Sequence, residues 1–319
     1  MKDENEVQSK LPSKKLNSCT FCGSHRTRIS RKQRKVFFDS HVYDFFFCKN
    51  CFGYFIYPEL TSIQLDQLYS RSYIETHFDE NEILDVEQPS RFVSLEKYLK
   101  RSLHSPGEFF LDYGCGANPE TLAIARSSNL TPIGMEFAPD VRKLASSSSG
   151  ETVLSREELL NLKVKFSVIF LGDVLEHLVA PQIVLNELAG LLDENGVIIS
   201  QGPLQGARTL THMIVGAYSC ITPKRFATYP PYHVTLAHSQ SMIKLFSIAK
   251  LEIEHIAIEE VSWPAPTLNE LRRKFNSRNL FLFLVKVPDL LLSKVVPMYG
   301  TRYFMVGKID QRRPVESLI

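Results

Sequence analysis

The chain has 319 residues, and its 37 basic and 35 acidic side chains give a formal net charge of +2. This length favours about two domains, and a charge so close to zero argues against a protein that binds polyanions with its whole surface. The polar first fifteen residues lack the apolar core of a signal peptide. No run reaches the ~18 apolar residues of a membrane-spanning helix. We therefore expect a cytoplasmic protein whose residues 1–17 form a disordered tail.

Two CxxC pairs follow the tail, Cys19 with Cys22 and Cys48 with Cys51. Each pair offers two thiolates from one tight turn, and two such turns close a tetrahedral Zn²⁺ site. The aromatic-rich segment between the pairs is typical of a β-hairpin that is too small to bury a core alone, so bound metal would stabilise it directly. We predict a zinc-ribbon module over 18–57 with a structural Zn²⁺. Four unliganded core cysteines are the alternative.

The same hairpin is rich in basic side chains, which could form a patch for the phosphates of RNA or of a nucleotide diphosphate. A solvated hairpin face is the other interpretation, and the sequence favours it. The basic residues of this hairpin are Arg26, Arg28, Arg31, Lys32, Arg34 and Lys35.

The stretch FFLDYGCGANPE organises the rest of the chain. Its apolar start predicts a buried strand that is closed by the carboxylate of Asp112. Gly114 and Gly116 then predict a tight loop in which backbone approaches a ligand closely. Asn118 suits a helix N-cap and Pro119 suits the first helical position, so a helix should follow.

A second apolar run, TPIGMEF, ends in Glu136, which is placed to accept hydrogen bonds from a ribose. A dinucleotide fingerprint needs glycine where Pro119 stands. An acid at the end of the first strand, followed by GxG, instead resembles motif I of class I S-adenosylmethionine (SAM) methyltransferases. Asn118 replaces a further glycine of that pattern. The resemblance implies that SAM is bound by Asp112, the two glycines and Glu136; a tight turn with nothing bound is the alternative.

The next elements show one departure from the family. We predict a helix at Pro139–Ala145, a serine-rich surface turn at Ser146–Gly150 and a short strand at Glu151–Leu154. Methyltransferases of this class usually carry an aspartate just beyond that strand to hold the adenine amino group. Ser155 and Arg156 stand there, so the sequence assigns no adenine contact.

The stretch KFSVIFLGDVLEHL predicts a buried parallel strand with Asp173 at its carboxyl end, where open α/β sheets bind ligands. DVLEHL resembles the motif that follows this strand in the ubiquinone-type methyltransferase branch, where it lines the methyl-transfer site. The resemblance implies that Asp173 contacts the cofactor and that Glu176 and His177 orient the substrate. Capping of the following helix is the alternative for these two side chains.

The remaining core elements follow a regular order. The sequence predicts a helix at Pro181–Leu192, a turn at Asn195 and Gly196, and a strand at Val197–Ser200. Two further strands are predicted, at Leu251–Glu260 and Arg302–Lys308.

A long irregular connection separates these strands, and connections of such length inside a compact domain are usually functional. His233 lies within it in PPYHVT, which resembles the substrate-facing HV element of the family. Histidine accepts a proton readily near neutral pH. We predict that His233 is the base and that His177 is its competitor; alternatively, His233 only hydrogen-bonds the loop.

Together the motifs predict a helical connector at 58–106 and a methyltransferase domain at 107–310. Within that domain, 203–237 is a substrate-side insertion, and 264–300 is a lid, a homodimer contact or a membrane-surface contact. Residues 311–319 form a tail.

The resemblance covers residues 90–310 and implies a Rossmann-like seven-stranded α/β sheet with an antiparallel last strand. With its N-terminal zinc ribbon, the chain is similar to bacterial methyltransferases of surface-polysaccharide and deoxysugar pathways. This implies a sugar or nucleotide-sugar acceptor. We expect no DNA partner, and the zinc lies too far along the chain to be assigned to the transfer, which needs no metal. An RNA methyltransferase that grips phosphates with its ribbon and a non-catalytic SAM-binding protein remain alternatives.

Overall fold

The tails predicted at 1–17 and 311–319, and the predicted N-cap Asn118, lie outside the described residues. The computed structural model describes residues 18–30, 33, 35–69, 92–102, 104–117, 119–207, 209–214, 230–261, 268–273 and 275–310.

Strands and helices alternate through most of these ranges. In chain order the strands are β1 (Thr27–Ile29), β2 (Val36–Phe38), β3 (His41–Cys48), β4 (Tyr54–Tyr57), β5 (Phe109–Tyr113), β6 (Thr131–Met135), β7 (Thr152–Leu154), β8 (Phe166–Gly172), β9 (Leu192–Pro203), β10 (Thr235–Leu236), β11 (Leu251–Glu259) and β12 (Arg302–Ile309). The helices are α1 (Ser62–Leu68), α2 (Val93–Arg101), α3 (Glu120–Ser127), α4 (Pro139–Ser149), α5 (Arg156–Asn161), α6 (Pro181–Ala189), α7 (Ser239–Ile248), α8 (Leu268–Arg273) and α9 (Ser277–Leu292).

The main sheet has seven strands in the order β7-β6-β5-β8-β9-β12-β11. The first four pairings from β7 to β9 are parallel, and β12 is antiparallel to both of its neighbours. The central strands are buried on both faces, as their continuous apolar runs predict. This is the predicted seven-stranded class I methyltransferase sheet with an antiparallel last strand, and the prediction is confirmed.

Apolar side chains of β5 and β8 alternate between two cores. Leu111 and Ile169 pack with residues of α6 and α7 on one face. Phe110 and Val168 pack with residues of α2 and α3 on the other. Helices therefore cover both faces of the sheet and leave its carboxyl edge for ligands.

The N-terminal strands form a second, antiparallel sheet in the order β1-β3-β4-β10, with β2 paired to β3. Its last strand comes from much later in the chain: Thr235 and Leu236 pair with Phe55 and Tyr54. This sheet thus includes part of the connection that was predicted to lie on the substrate side.

The serine-rich segment after β6 differs from its prediction. It was predicted as a turn from Ser146, but α4 continues to Ser149 and ends at Gly150 in the left-handed conformation (φ +70°). Serine hydroxyls here donate to carbonyls three or four residues back: Ser147 to Leu144, and Ser149 to Ala145. These local bonds let the serines remain helical.

Strand β9 also begins earlier than predicted. It starts at Leu192 and passes through the predicted turn, while α6 ends at Ala189 rather than reaching Leu192. The turn survives as a bulge, because β9 advances from Leu192 to Val197 while its partner β8 advances only from Phe166 to Val168. A Cβ on Gly196 would lie 2.7 Å from the Phe166 carbonyl oxygen, which explains the glycine.

The segment predicted as a lid or interface contains α9, whose polar residues Lys286 and Asp289 are buried. Lys286 forms an ion pair with Glu260. Asp289 accepts hydrogen bonds from the backbone N–H groups of Leu210 and Thr211 at 2.9 and 2.8 Å. These contacts fasten α9 to the domain. Among the helices of the described ranges, none has the length and apolarity needed to cross a membrane.

Candidate functional site

The glycine loop after β5 adopts the backbone that its sequence predicts. Gly114 and Gly116 have φ of +82° and +69°, a region that side chains rarely occupy. A Cβ on Gly114 would lie 2.8 Å from Cγ2 of Val174, whereas one on Gly116 would meet no atom within 4 Å. Gly114 therefore packs against the turn after β8, and Gly116 faces open space where a ligand can approach.

Asp112 holds the start of this loop. Its buried carboxylate accepts a hydrogen bond from the Thr121 hydroxyl on α3, which ties strand to helix. The helix begins differently from the prediction: Pro119 is the N-cap, with ψ of 77°, and Glu120 is the first helical residue. The placement of Pro119 at the first helical position is wrong by one residue, because its ψ lies outside the helical range.

Glu136 lies at the carboxyl end of β6 and binds the glycine loop. Its Oε2 accepts from the Gly116 N–H at 3.0 Å, and its Oε1 accepts from the Ala138 N–H at 3.1 Å. The carboxylate is only half-buried. It thus lies where a ribose hydroxyl could replace either of these backbone donors.

An aromatic pair beside Glu136 was not predicted. Phe137 is 48% exposed, and its ring meets the buried Tyr113 ring edge-on with 5.5 Å between centroids. The position predicted to lack an adenine ligand is used for structure, because Ser155 caps α5 by accepting from the Glu158 N–H. An apolar residue directly after the strand-ending acid was the available signal for Phe137. We call Gly114, Gly116, Glu136 and Phe137 the cofactor side.

The turn after β8 begins with Asp173 in a left-handed conformation (φ +56°). Its carboxylate accepts from the Arg302 guanidinium at 2.7 Å, and its N–H donates to the Gln201 carbonyl at 2.9 Å. Sparsely populated backbone of this kind is enriched at functional sites. Asp173 is therefore fixed at the carboxyl edge of the sheet, next to the glycine loop that Val174 contacts.

Two histidines from distant parts of the chain meet at this edge. The His177 and His233 rings are perpendicular, at 83°, with 4.8 Å between their centroids. Nδ1 of His233 bonds Oε1 of Gln205 at 2.9 Å. Nδ1 of His177 bonds the Tyr232 carbonyl at 2.7 Å and the Tyr69 hydroxyl at 2.8 Å. The prediction singled out both histidines, but it did not name Gln205 or Tyr69 as their partners.

Glu176 completes this group, because its side chain is buried beside the histidines. A Cβ on Gly202 would lie 3.4 Å from Oε2 of Glu176, so the glycine leaves room for the carboxylate. The Glu176 carbonyl accepts from the Val234 N–H at 2.9 Å. We call Glu176, His177 and His233, with Gln205 and Tyr69, the acceptor side.

Burial shifts the pKa values of the acceptor side in opposite directions. Burial, reinforced by the charge of Asp173, raises the pKa of Glu176 to about 8. Burial, with His177 nearby, lowers the pKa of His233 to about 3. At neutral pH, Glu176 is therefore mostly protonated and His233 neutral. Since a general base works best with a pKa near the working pH, Glu176 suits final proton uptake better than His233, which can hold the proton only transiently.

The four cysteines of the CxxC pairs lie together. Their sulfur atoms lie within 4.8 Å of one another, with Cys19 to Cys51 at 3.5 Å and Cys22 to Cys48 at 3.6 Å. Tetrahedral Zn–S bonds of about 2.3 Å would place ligand sulfurs about 3.8 Å apart, so the cluster fits Zn²⁺. The Asn50 N–H and side-chain amide also donate to two of the sulfurs, at 3.4 and 3.6 Å.

The sheet that carries the cysteine cluster is joined to the acceptor side by backbone hydrogen bonds. Ile56 of β4 donates to the Val234 carbonyl at 3.0 Å, and Val234 donates to Glu176. Phe21, Cys48 and Cys51 share a hydrophobic core with residues of the main sheet. The ribbon therefore supports the loop that carries His233.

Comparison with known proteins places these features in a class. Residues 111–200 match the family model described as a methyltransferase domain. The matched segment runs from β5 into β9, and the seven-stranded sheet has the strand order of a class I methyltransferase domain, a class that uses SAM as its cofactor. No curated protein sequence matches the chain.

Solved structures similar to this chain include several methyltransferases. A chain from the complex of the Haloferax volcanii Trm112 methyltransferase activator with a methyltransferase is 12% identical, covers 70% of this chain and 91% of its own, and has a TM-score of 0.46. A sarcosine dimethylglycine methyltransferase from Galdieria sulphuraria is 15% identical. The match covers 68% of this chain and 86% of the Galdieria chain, with a TM-score of 0.43. A SAM-dependent methyltransferase from Archaeoglobus fulgidus is 16% identical. The match covers 67% of this chain and 93% of the Archaeoglobus chain, with a TM-score of 0.42.

Proposed function

We propose that this protein transfers a methyl group from SAM to a small acceptor, namely a sugar, a nucleotide sugar or a glycan intermediate. One observation carries the proposal: the ligand-binding glycine loop and the polar acceptor side adjoin at the carboxyl edge of the sheet. Val174 joins them, because it contacts Gly114 and lies in the same turn as Glu176 and His177. This arrangement suits a donor and an acceptor held side by side.

The cofactor side would bind SAM mainly through backbone. Gly114 and Gly116 would face its methionine end, Glu136 its ribose and Phe137 its adenine, while Asp173 closes the site from the next strand. SAM supplies an electrophilic methyl group when it is bound. The remaining chemistry asks the protein only to align the acceptor and to accept its proton.

The acceptor side would take up that proton. We propose that Nε2 of His233 accepts it from the attacking hydroxyl and passes it to Glu176 in the fraction of molecules in which that carboxyl is ionised; its pKa of about 8 makes it the stronger base. His177 would orient the acceptor. These groups offer proton acceptors and hydrogen-bond donors at short range, which suits a polyhydroxylated substrate.

The ribbon could add affinity for a diphosphate. Arg26 and Arg28 are exposed on it, although the Arg28 guanidinium lies over the Phe47 ring at 5.5 Å. RNA would use the same charges, and its binding would weaken steeply with added salt. Methylation of nucleotide-sugar panels, read by mass spectrometry as the gain of one methyl group, tests the acceptor. Salt-sensitive RNA binding together with RNA methylation would replace the sugar proposal.

Cofactor binding is tested by two glycine variants with matched backbones. Gly116 and Gly150 have φ of +69° and +70°, and a Cβ on either meets nothing within 4 Å. Gly116→Val and Gly150→Val therefore impose similar backbone strain, but only Gly116 faces the proposed ligand. Calorimetric titration with S-adenosylhomocysteine should show no binding by Gly116→Val and near-normal binding by Gly150→Val. Equal affinity in the two variants would refute this assignment of the cofactor side.

A further inference from the structure

The acceptor side contains a set of metal-ligand atoms that the proposed reaction does not require. Glu176, His177 and His233 each offer one ligand atom, and these atoms all lie within 4.8 Å of one another. Two imidazoles and one carboxylate are a donor set that proteins use for divalent transition metals. This group of ligands is separate from the four cysteine sulfurs, which are soft thiolate ligands.

The hydrogen bonds of the histidines orient them as ligands. Gln205 Oε1 and the Tyr232 carbonyl are acceptors, so the Nδ1 atoms of His233 and His177 carry the hydrogens that they donate. In these tautomers Nε2 is the ring nitrogen that carries no hydrogen. Metal-binding histidines almost always donate their second ring N–H to a carbonyl or carboxylate in this way.

The third ligand is buried without a direct ion-pair partner. Glu176 is 5% exposed, and no salt bridge among the described residues includes it, although the Arg302 charge acts on it from nearby. The Arg302 guanidinium binds Asp173 instead, at 2.7 Å. A buried carboxylate is costly unless it is protonated, paired or bound to a metal.

From this geometry we propose that Glu176, His177 and His233 bind a divalent transition-metal ion at the acceptor side. The ion would keep open positions, since the described residues supply three ligands. Its placement beside the methyl acceptor rests on the proposed function, whereas its binding does not. With the ion bound, the acceptor oxygen would be polarised by the metal, and His233 would serve as a ligand rather than as a proton acceptor.

The test is a Co²⁺ titration of full-length protein whose cysteine site has first been filled with Zn²⁺. The visible absorption of Co²⁺ reports nitrogen and oxygen ligands, and thiolate-to-cobalt charge transfer reveals any exchange into the cysteine site. We expect one further equivalent to bind to the wild type. Glu176→Gln, which keeps the side-chain shape, and His233→Ala should each weaken this binding at least about tenfold. His255→Ala, which removes an exposed histidine on β11, should bind as the wild type does.

Two results would overturn the ion site. One is a wild type that binds no Co²⁺ beyond its cysteine site. The other is Co²⁺ binding that is unchanged in Glu176→Gln and His233→Ala, with thermal melting showing both folded. S-adenosylhomocysteine titration of the same samples separates the two proposals. If S-adenosylhomocysteine binds normally but no Co²⁺ binds beyond the cysteine site, the methyltransferase proposal stands and the ion site is refuted. If Co²⁺ binds at the acceptor side but S-adenosylhomocysteine does not bind, the ion site stands and the methyltransferase proposal is refuted.

Discussion

The cofactor side and the acceptor side are built in different ways. The cofactor side comes from one continuous βαβ unit, from β5 to the start of α4. Its shape is set by Gly114, Gly116 and the Glu136 carboxylate, which accepts hydrogen bonds from backbone N–H groups. The acceptor side gathers side chains from α1's end, the turn after β8, the end of β9 and the loop before β10, including Tyr69, Glu176 and His233. A local backbone site depends mainly on its own βαβ unit, with Val174 as a contact from the turn after β8, whereas a side-chain site assembled from four segments depends on each of them.

The ribbon shows this dependence, because it contacts the acceptor side. Strand β4 pairs with β10, and Ile56 donates to Val234, the neighbour of His233. The cysteine cluster therefore acts on the position of a histidine that lies almost two hundred residues later in the chain. Perturbing the cysteine cluster should therefore impair the acceptor side much more than the cofactor side.

Breaking the cysteine cluster should have the largest effect. Cys48→Ser removes one sulfur of the cluster, and because small metal modules fold with their metal, the ribbon should loosen. We expect elemental analysis to show zinc near one equivalent in the wild type and far less in the variant, with methyl transfer close to the detection limit. S-adenosylhomocysteine affinity should fall only a few-fold. Full transfer by zinc-free protein would show that the ribbon does not support the acceptor side.

Removing His233 should have the next largest effect. His233→Ala should lower the methyl-transfer rate about a hundredfold or more, because the acceptor loses either its proton acceptor or a metal ligand. Calorimetry should find the affinity for S-adenosylhomocysteine nearly unchanged. If transfer survives in this variant and collapses in His177→Ala, the roles of the two histidines are reversed.

Changes of pH should act mainly on the acceptor side, since two groups with shifted pKa values, Glu176 and His233, lie there. The raised pKa of Glu176 means that the folded state keeps a proton that the unfolded state releases. Stability is therefore lost as pH rises from about 4.5 to about 8. The lowered pKa of His233 acts oppositely: stability is lost as pH falls from about 6.5 to about 3. Between about pH 4.5 and pH 6.5 the two effects oppose each other; above that range only the Glu176 loss remains, and below it only the His233 loss.

Urea unfolding without added divalent ions checks this pH dependence. Between pH 6.5 and pH 8, Glu176→Gln should lose less stability than the wild type, with a difference on the order of one or two kcal/mol. In the same range the wild-type transfer rate should rise as Glu176 ionises. Parallel stability curves for the two proteins would contradict the assigned shift.

The contrast between a local cofactor side and an assembled acceptor side also explains which features can be predicted from the sequence. The glycine turn, Asp112 and Glu136 follow from spacing within one βαβ unit, and the sheet order follows from the run of strands and helices. The partners of the histidines do not, because no local pattern shows that Tyr69 and Gln205 reach His177 and His233. Nor does spacing alone reveal that β10 joins the ribbon sheet, since that pairing is set by tertiary contact.

Two errors of local prediction have a similar cause. Ser146–Ser149 has a turn-like composition, yet its hydroxyls bond the preceding helical carbonyls. Asn195 and Gly196 form a typical turn pair, yet the parallel partner β8 absorbs them as a bulge in β9. In both places, neighbouring hydrogen bonds outweigh the preference of the individual residues.

The smallest predicted effect concerns the link between Asp112 and Thr121, which belongs to the cofactor side. Thr121→Val keeps the shape of the side chain but removes the hydroxyl that donates to Asp112, so a buried carboxylate loses a donor. We expect the free energy of unfolding to fall by about 1–3 kcal/mol. Thr121→Ser keeps the hydroxyl and should lose less. The affinity for S-adenosylhomocysteine should decline a few-fold in the valine variant, because Asp112 positions the loop that holds Gly114 and Gly116. An unfolding free energy equal in the valine and serine variants would show that this hydrogen bond does not fix the loop.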